Sequence, residues 1–461
     1  MMELLIAEIV RATEGKLIKG SLKDKVIGIS TDSRKVKKDE LFIPLKGEKY
    51  DGEDFVKDAM TKGAKAVLTA RLDNIEYLRD FPFNVIYVND TLEALHKIAS
   101  YYRKKFNIPF VAVTGSTGKT TTKDMIAQIL SKKYKVLKTE GNFNNEIGLP
   151  LTIFNLENTH QIAVVEMGMS GFGEIRRLKN IVKPQVAVFT NIGVAHIEKL
   201  GSRENILKAK TELIEDFKEE NVIVLNADDD MLSKIPLQYS SKYYRYGIKN
   251  GEIKACNIEK GEKGIKYTLK YKNLEKEIKL SIPGIHNVYN SLAAICVGLE
   301  FGINVEDMAE ALKDFQPGKM RLNIIEKGDI KIIDDAYNAN PDSMKAALSV
   351  LRDLPAKRKI AVLGDMLELG EYAVEAHKEI GKLVADSHID ILITSGDMSK
   401  YIAEESKVCG MKENNIFVCN TNKEVNEILK DIIKEGDSIL VKGSRGMKME
   451  QIVQFLQERV K

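Results

Sequence analysis

The chain has 461 residues, enough for two or three domains, and its 44% hydrophobic and 30% charged content is ordinary for a globular protein. With 70 Lys and Arg against 67 Asp and Glu, the net charge of +3 gives no support for an extended polyanion-binding surface such as nucleic acid requires. Four cysteines without a CxxC pair (Cys256, Cys296, Cys409, Cys419), an amphipathic start and no apolar run near the ~18 residues of a membrane span point to a cytoplasmic protein.

Residues 1–88 read as a small α/β domain. A helix over 4–12 precedes the strand VIGIS, and Ser30, Thr31, Asp32, Ser33 and Arg34 follow it as STDSR. The strand LFIPL leads into a loop at Lys46 and Gly47 and a helix from about Gly52; AVLTA and VIYV are further strands. Small hydroxyls, an acid and an Arg at a strand end can read a polar ligand, and the same five residues also suit a plain turn.

Residues 89–315 form the central domain. After a helix over 92–106 come the short β-branched runs FVAVTG, KVLKT, IAVVEMGM, VAVFTNIG and VIVLNADD, separated by helical patterns. That alternation predicts a mostly parallel sheet, with its site at the carboxyl ends of the strands. Strand, glycine loop and helix start follow one another in VAVTGSTGKTTTK, residues 111–123. Gly115 and Gly118 let backbone approach an anion, helix-start N–H groups and the helix dipole favour negative charge, Lys119 adds a point charge, and Thr120 can hold Mg²⁺. Gly115 stands two residues after the place where the longer phosphate-loop pattern has its first glycine, so the match is to GxxGK[ST]. A glycine turn before a surface lysine is the competing reading. It leaves Thr117, Thr120, Thr121 and Thr122 at one helix start unexplained.

From about 240 to 283 apolar and polar residues alternate, with turn signals at Gly261 and Gly264, which predicts an antiparallel hairpin on the domain edge. A helix follows with His286, Asn287 and Asn290 near its start. Pro317-Gly318 marks a linker, and 316–461 alternates strand and helix again as a third, Rossmann-like α/β domain. Several of its strands run into polar loops, at Asp334-Asp335, Gly364-Asp365, Gly396-Asp397 and Lys442-Gly443-Ser444-Arg445.

Glu166 ends a very apolar strand. A carboxylate there should meet a cation, a metal or a hydrogen-bond donor, so it reads as a Mg²⁺ ligand or water-positioning group, or as half of an internal ion pair. His196, just past another strand end, is either a site residue or a structural histidine. Lys210, in LKAKTELI, reads as a solvated helix lysine. Asn142, Asn144 and Asn145 form an amide cluster suited to a polar substrate or to a turn. DDAYNANPDSM (334–344) packs two acids, a Tyr and two amides into seven residues and favours ligand contact. Arg321, after the linker, could reach nucleotide phosphates or lie in solvent.

In order and spacing, TGSTGKT, GNxNxxIG, EMGM, NxGxAHxExxGS, NADD, GxHNxxN, DDAYNANPDSM, LGDMxELG and KGSRGMKME, with STDSR upstream, resemble the Mur ligase family over essentially the whole chain. The resemblance implies an ATP-dependent ligase that joins D-alanyl-D-alanine to UDP-N-acetylmuramoyl-tripeptide through an acyl phosphate, as a monomer. A sister ligase adding a single amino acid and an ATP-hydrolysing switch are the alternatives. Laid on these positions, the family pattern implies UDP binding by Ser30 to Arg34, Lys46 and Gly47. It implies ATP binding by Gly115, Ser116, Thr117, Gly118, Lys119, Thr120 and Thr121, with His286, Asn287 and Asn290 on the adenine side and Arg321 and Asp335 from the third domain. Thr120, Glu166, His196 and Lys210 would face Mg²⁺, Lys210 as the lysine that several members carry as a carbamate. Asn142, Asn145, Tyr337, Asn338, Asn340 and Ser343 would lie on the substrate side. At Met320 many relatives have Gly.

Overall fold

In this computed structural model the described residues are 2–71, 73, 78, 83–235, 241–261 and 264–459. The chain has a three-domain α/β fold and divides into two compact units, Met1–Ala112 with Tyr134–Met169 and Gly173–Gln185, and Val113–Lys133 with Ser170–Phe172 and Val186–Lys461.

The first unit carries a five-stranded sheet in the order Lys16–Lys19, Asn84–Tyr87, Ala66–Thr69, Leu41–Phe42, Ile29–Ser30. Only Lys16–Lys19 runs antiparallel to its neighbour. The first helix is Ile6–Thr13, later than its apolar pattern suggests, because Leu4–Leu5 pairs as a strand with Lys25–Val26. Glu8 closes the helix start by accepting the Leu5 N–H at 2.8 Å. The expected strand VIGIS is two pieces, Lys25–Val26 and Ile29–Ser30. Val136–Lys138 and Ile162–Glu166 pair in parallel, and every residue of the second is buried, as a parallel strand covered on both faces must be.

In the second unit Val186–Phe189, Val222–Asn226 and Lys242–Gly247 are parallel neighbours. The last of these, KYYRYG, is a strand that its tyrosine and charge content conceals. The expected hairpin is a three-stranded meander, Ile253–Gly261, Gly264–Tyr271 and Leu274–Leu280. The turn expected between Gly261 and Gly264 lies outside the described residues. Ile265, Tyr267 and Leu269 point inward while the residues between them are more exposed, the period of two that gave the strand away.

The third-domain sheet has the order Asn323–Lys327, Ile330–Asp335, Asp437–Lys442, Arg358–Gly364, Ile391–Ser395, Ile416–Cys419, parallel apart from its first strand. Alternate residues feed two cores. Ile333, Ala361, Leu363, Leu392 and Leu440 meet the helices Pro341–Asp353 and Ala373–Asp386. Ile332, Ile360, Val362, Ile393 and Ile439 meet Asn422–Ile432 and Glu450–Arg459 on the other face. Helices on both faces of a mostly parallel sheet make this domain doubly wound.

Candidate functional site

The phosphate-type loop is built where the strand Phe110–Thr114 gives way to the helix Lys119–Leu130. Gly115 has φ +148°, and a Cβ on it would sit 1.9 Å from Thr190 Oγ1. Gly118 has φ +77°, and its Cβ would sit 2.6 Å from Asn290 Oδ1. Only glycine satisfies both the backbone and the space. The loop lies on the next strand end. Ser116 N donates to Asn191 O at 3.0 Å, Thr117 N to Asn191 Oδ1 at 2.9 Å, and Asn191 Nδ2 to Thr117 Oγ1 at 2.6 Å. Asn191 therefore occupies two loop N–H groups, and an incoming anion is left to the helix start and Lys119.

Lys119 Nζ turns back onto its own loop, donating to Gly115 O at 2.9 Å and Ser116 O at 3.3 Å. Lys210 Nζ donates to the same Gly115 O at 3.0 Å. Lys210 is 1% exposed. Burial, and then the neighbouring Lys119 charge, push its ammonium well below the usual lysine range. Two amines on one loop carbonyl make this the electropositive end of the sheet and a place for a polyanion.

Asn290 brings a second element to the loop. On the helix Ile285–Glu300 its Oδ1 accepts the Thr122 hydroxyl at 3.1 Å and its Nδ2 donates to Asn287 Oδ1 at 3.1 Å. Asn287 also ties to Pro283 O at 2.7 Å. Burial, followed by the charge of Lys442, lowers His286 to about 4, so its ring is neutral at physiological pH.

His196 has left-handed backbone, φ +63°, at the start of the short helix Ile197–Leu200. Its Nδ1 lies 2.6 Å from Glu368 Oε2 in the third domain. Hydrogen bonding to His196 holds Glu368 below the usual carboxylate range. Ile197 packs on the third-domain core. Residues 190–196 are fastened from behind. Ile192 N donates to Asp229 Oδ2 at 2.9 Å, and Arg203 holds Ile192 O at 2.7 Å and Asp230 at 2.6 Å.

The segment from 320 to 345 folds on itself. Met320 (φ +60°) and Leu322 (φ +49°) are left-handed, a conformation that glycine adopts without strain and these side chains do not. The Arg321 guanidinium stacks 4.0 Å from the Tyr337 ring centroid. Both Asp335 oxygens have partners, Leu322 N at 3.1 Å and Lys442 Nζ at 2.6 Å. Lys442, 2% exposed, also reaches Asn338 O at 2.8 Å. Asn338 Oδ1 accepts the Ala339 N–H at 2.9 Å. Asn340 caps the helix Pro341–Asp353, its Oδ1 taking Ser343 N at 2.9 Å while Ser343 Oγ takes Asn340 N at 3.0 Å.

The remaining candidates belong to the first unit. Arg34 and Asp32 form a two-point pair at 2.9 and 3.0 Å, and the hydrogen bonds from Arg34 hold the Asp32 carboxyl down at about 2. Ser30 Oγ accepts Asp32 N at 3.3 Å, so the motif is a hydrogen-bonded turn that leaves Arg34 exposed. Lys46 bridges Asp51, closing a loop around Gly47. Asn142 is exposed; Asn145 Oδ1 takes Gly148 N at 2.8 Å; Asn144 Nδ2 donates to Glu166 Oε1 at 2.7 Å. Glu166 is 2% exposed at its strand end, and its backbone N–H donates to Thr139 Oγ1 at 3.0 Å.

The structure thus brings the loop 115–121, Lys210 and Asn290 together, and separately joins Arg321, Asp335 and Tyr337. Sequence reading passed over Asn191, Lys442 and Glu368. Asn191 and Lys442 sit at strand ends in NIG and KGSR, and Glu368 is the acid of LGDMxELG, which were the available signals. Among the described residues no group of three or more His, Cys, Asp or Glu side chains is placed to hold a metal. Glu166, a buried carboxylate, and Thr120, a helix-start hydroxyl, are oxygen donors of the type Mg²⁺ takes one or two of beside phosphate oxygens and water.

Three family models match the chain: the Mur ligase family catalytic domain at residues 25–103, the Mur ligase middle domain at 113–298, and the Mur ligase glutamate ligase domain at 320–445. The UDP-N-acetylmuramoyl-tripeptide--D-alanyl-D-alanine ligase of Bacillus subtilis (strain 168) is 40% identical over 99% of both chains. The chain belongs to the Mur ligase family. The enzyme of the same name from Escherichia coli (strain K12) is 35% identical over 93% of both chains. Among solved Mur ligases, MurF from Acinetobacter baumannii superposes with a TM-score of 0.90 at 31% identity over 99% of both chains. MurF from Thermotoga maritima in complex with ADP gives 0.83 at 30% identity, over 94% of this chain and 97% of that one.

Proposed function

We propose that this chain is an ATP-dependent ligase that joins D-alanyl-D-alanine to UDP-N-acetylmuramoyl-tripeptide, giving the pentapeptide precursor of peptidoglycan. The observation that carries this reading is likeness along the whole length to ligases of that one name, 40% identical in the Bacillus subtilis case. A carboxylate is a poor acyl donor. The ATP γ-phosphoryl group is therefore transferred to the terminal carboxylate of the tripeptide, and ADP leaves. The neutral amine of the dipeptide attacks the acyl phosphate carbon, the C–O bond to phosphate breaks, inorganic phosphate departs and the amine sheds a proton. A free α-amino group has a pKa of about 7.7–8.0, so a useful neutral fraction exists near neutrality.

In this reading residues 1–88 hold the UDP part through Ser30, Thr31, Asp32, Ser33, Arg34, Lys46 and Gly47. Residues 89–315 hold ATP through Gly115 to Thr121, with Lys119 on the terminal phosphates and His286, Asn287 and Asn290 on the adenine side. Residues 316–461 supply Arg321 and Asp335 toward ATP and Tyr337, Asn338, Asn340 and Ser343 toward the dipeptide, and Asn142 and Asn145 also serve the substrate. Mg²⁺, held by Thr120, Glu166 and His196 together with phosphate oxygens, would offset the charge on the transferred phosphoryl group. Lys210, whose ammonium burial and the Lys119 charge push well below the usual lysine range, is the group able to take up CO₂ as a carbamate and present an anion in place of a cation. The four unpaired cysteines accord with a reducing compartment, and we infer a cytoplasmic monomer.

The acyl phosphate is tested by labelling the tripeptide carboxylate with ¹⁸O. One label is expected in the inorganic phosphate released per amide formed. Unlabelled phosphate alongside amide product would contradict the intermediate.

A further inference from the structure

We propose that Asp342, a third-domain residue, is a positioning residue for ligation: its carboxylate holds the Gly193–Val194 backbone against Ser116, so that one contact sets the acceptor-side segment and the ATP-side loop together. The proposal rests on the ligase reading for its kinetic arm only.

Asp342 is the second residue of the helix Pro341–Asp353, whose start is fixed by the reciprocal Asn340–Ser343 cap. That rigid start aims its side chain at the loop following Val186–Phe189. A Cβ built on Gly193 would lie 1.8 Å from Asp342 Oδ2 and 3.4 Å from Ser116 Cβ. Gly193 is thus the filler between the third domain and the phosphate loop, and the carboxylate occupies the space a side chain would need. On its other side Gly193 N donates to Ser116 Oγ at 2.9 Å, inside the protein. The neighbouring residues cannot drift, because Asn191 holds Ser116 and Thr117 while Asp229 and Arg203 hold Ile192. Asp342 makes no direct ion pair among the described residues; the Val194 N–H is turned to it, and burial raises its carboxyl above the usual range. An acid serving only its own helix dipole belongs in solvent at the helix start. This one is turned in, against the backbone of another domain.

The test uses Asp342→Ala, Asp342→Asn, Gly193→Ala and the double variant Gly193→Ala/Asp342→Ala in the full chain. Asp342→Ala is expected to lower kcat about tenfold while the KM for the UDP-substrate stays within about twofold. Asp342→Asn, which keeps an oxygen for the Val194 N–H, is expected to recover most of that loss. Gly193→Ala is expected to fail because its methyl meets Oδ2. The double variant is expected to be no worse than Gly193→Ala alone, since removing the carboxylate leaves only the 3.4 Å contact with Ser116. ADP affinity by titration calorimetry, with neither other substrate present, is expected to weaken by roughly three- to tenfold in Asp342→Ala and in Gly193→Ala. Additive losses, an Asn variant as poor as the Ala variant, a UDP-substrate KM that moves in step with kcat, or equal ADP affinity in all proteins would each overturn the proposal. Wild-type protein that makes no amide would sink the ligase reading instead, and ADP affinity would still decide the role of Asp342.

Discussion

Asp334 shows how a single carboxylate can make stability depend on pH. Burial outweighs the Ala336 N–H that it accepts and, with Asp335 adjacent, raises its carboxyl to about 6. An unfolded Asp titrates near 3.9, so between roughly pH 4 and 6 the folded chain binds more protons than the unfolded one. This group's contribution is therefore full at low pH and is lost as pH rises through about 6. Asp334→Asn is expected to leave the unfolding free energy unchanged near pH 3.5 and to raise it by up to roughly 3 kcal/mol above pH 7, read by denaturant melts at both. A larger gain at the acid end would contradict the buried placement. Legibility at this scale follows chemistry. Lys119 announced itself because glycines and a helix start surrounded it in sequence. Lys210 did not: LKAKTELI has the pattern of a wetted helix, and only the tertiary neighbour Gly115 reveals a buried amine.

Helix starts and strand edges are where sequence and structure part. Asn340-Pro341-Asp342-Ser343 is a strong helix-start signal, an Asn cap followed by Pro at the first turn. The same residues read as ligand contacts because capping and substrate binding call on the same hydrogen-bonding side chains. Asn340→Ala is expected to lower stability by about 1 kcal/mol with or without substrate, and Asn340→Asp to keep the cap, as urea melts would register. No change in the Ala variant would mean that the reciprocal bonds to Ser343 contribute nothing. The buried parallel strands were legible as β-branched runs such as VAVF and IAVVE. Lys242–Gly247 was not, since KYYRYG presents no clean apolar run or alternation; Ile416–Cys419 is an apolar run, IFVC, but only four residues long between polar neighbours, and it was passed over. Leu4–Leu5 became a strand through pairing with a segment some twenty residues away, which no local pattern encodes.

At the scale of the molecule, three α/β domains were readable because strand–helix alternation restarts after about residue 88, where a helix leads into FVAVTG, and again after Pro317-Gly318. Which loops would meet was less readable: His196 finds Glu368, and Asp342 finds Gly193, across hundreds of bonds of chain. Contacts of that kind tie the segment beside the glycine loop to the third domain within one compact unit. Lys119→Ala is expected to abolish turnover, with a far-ultraviolet spectrum and melting temperature close to wild type, because its ammonium closes onto carbonyls of its own loop. Near-normal turnover in that variant would remove the phosphate loop from the mechanism. The most direct measurement of the whole account is phosphate release from ATP and Mg²⁺ with UDP-N-acetylmuramoyl-tripeptide, with and without D-alanyl-D-alanine, the product being weighed by mass spectrometry. Release that needs both substrates, with a product heavier by the dipeptide less one water, is the predicted result; release indifferent to either substrate, or sustained by a single free amino acid in place of the dipeptide, would contradict it.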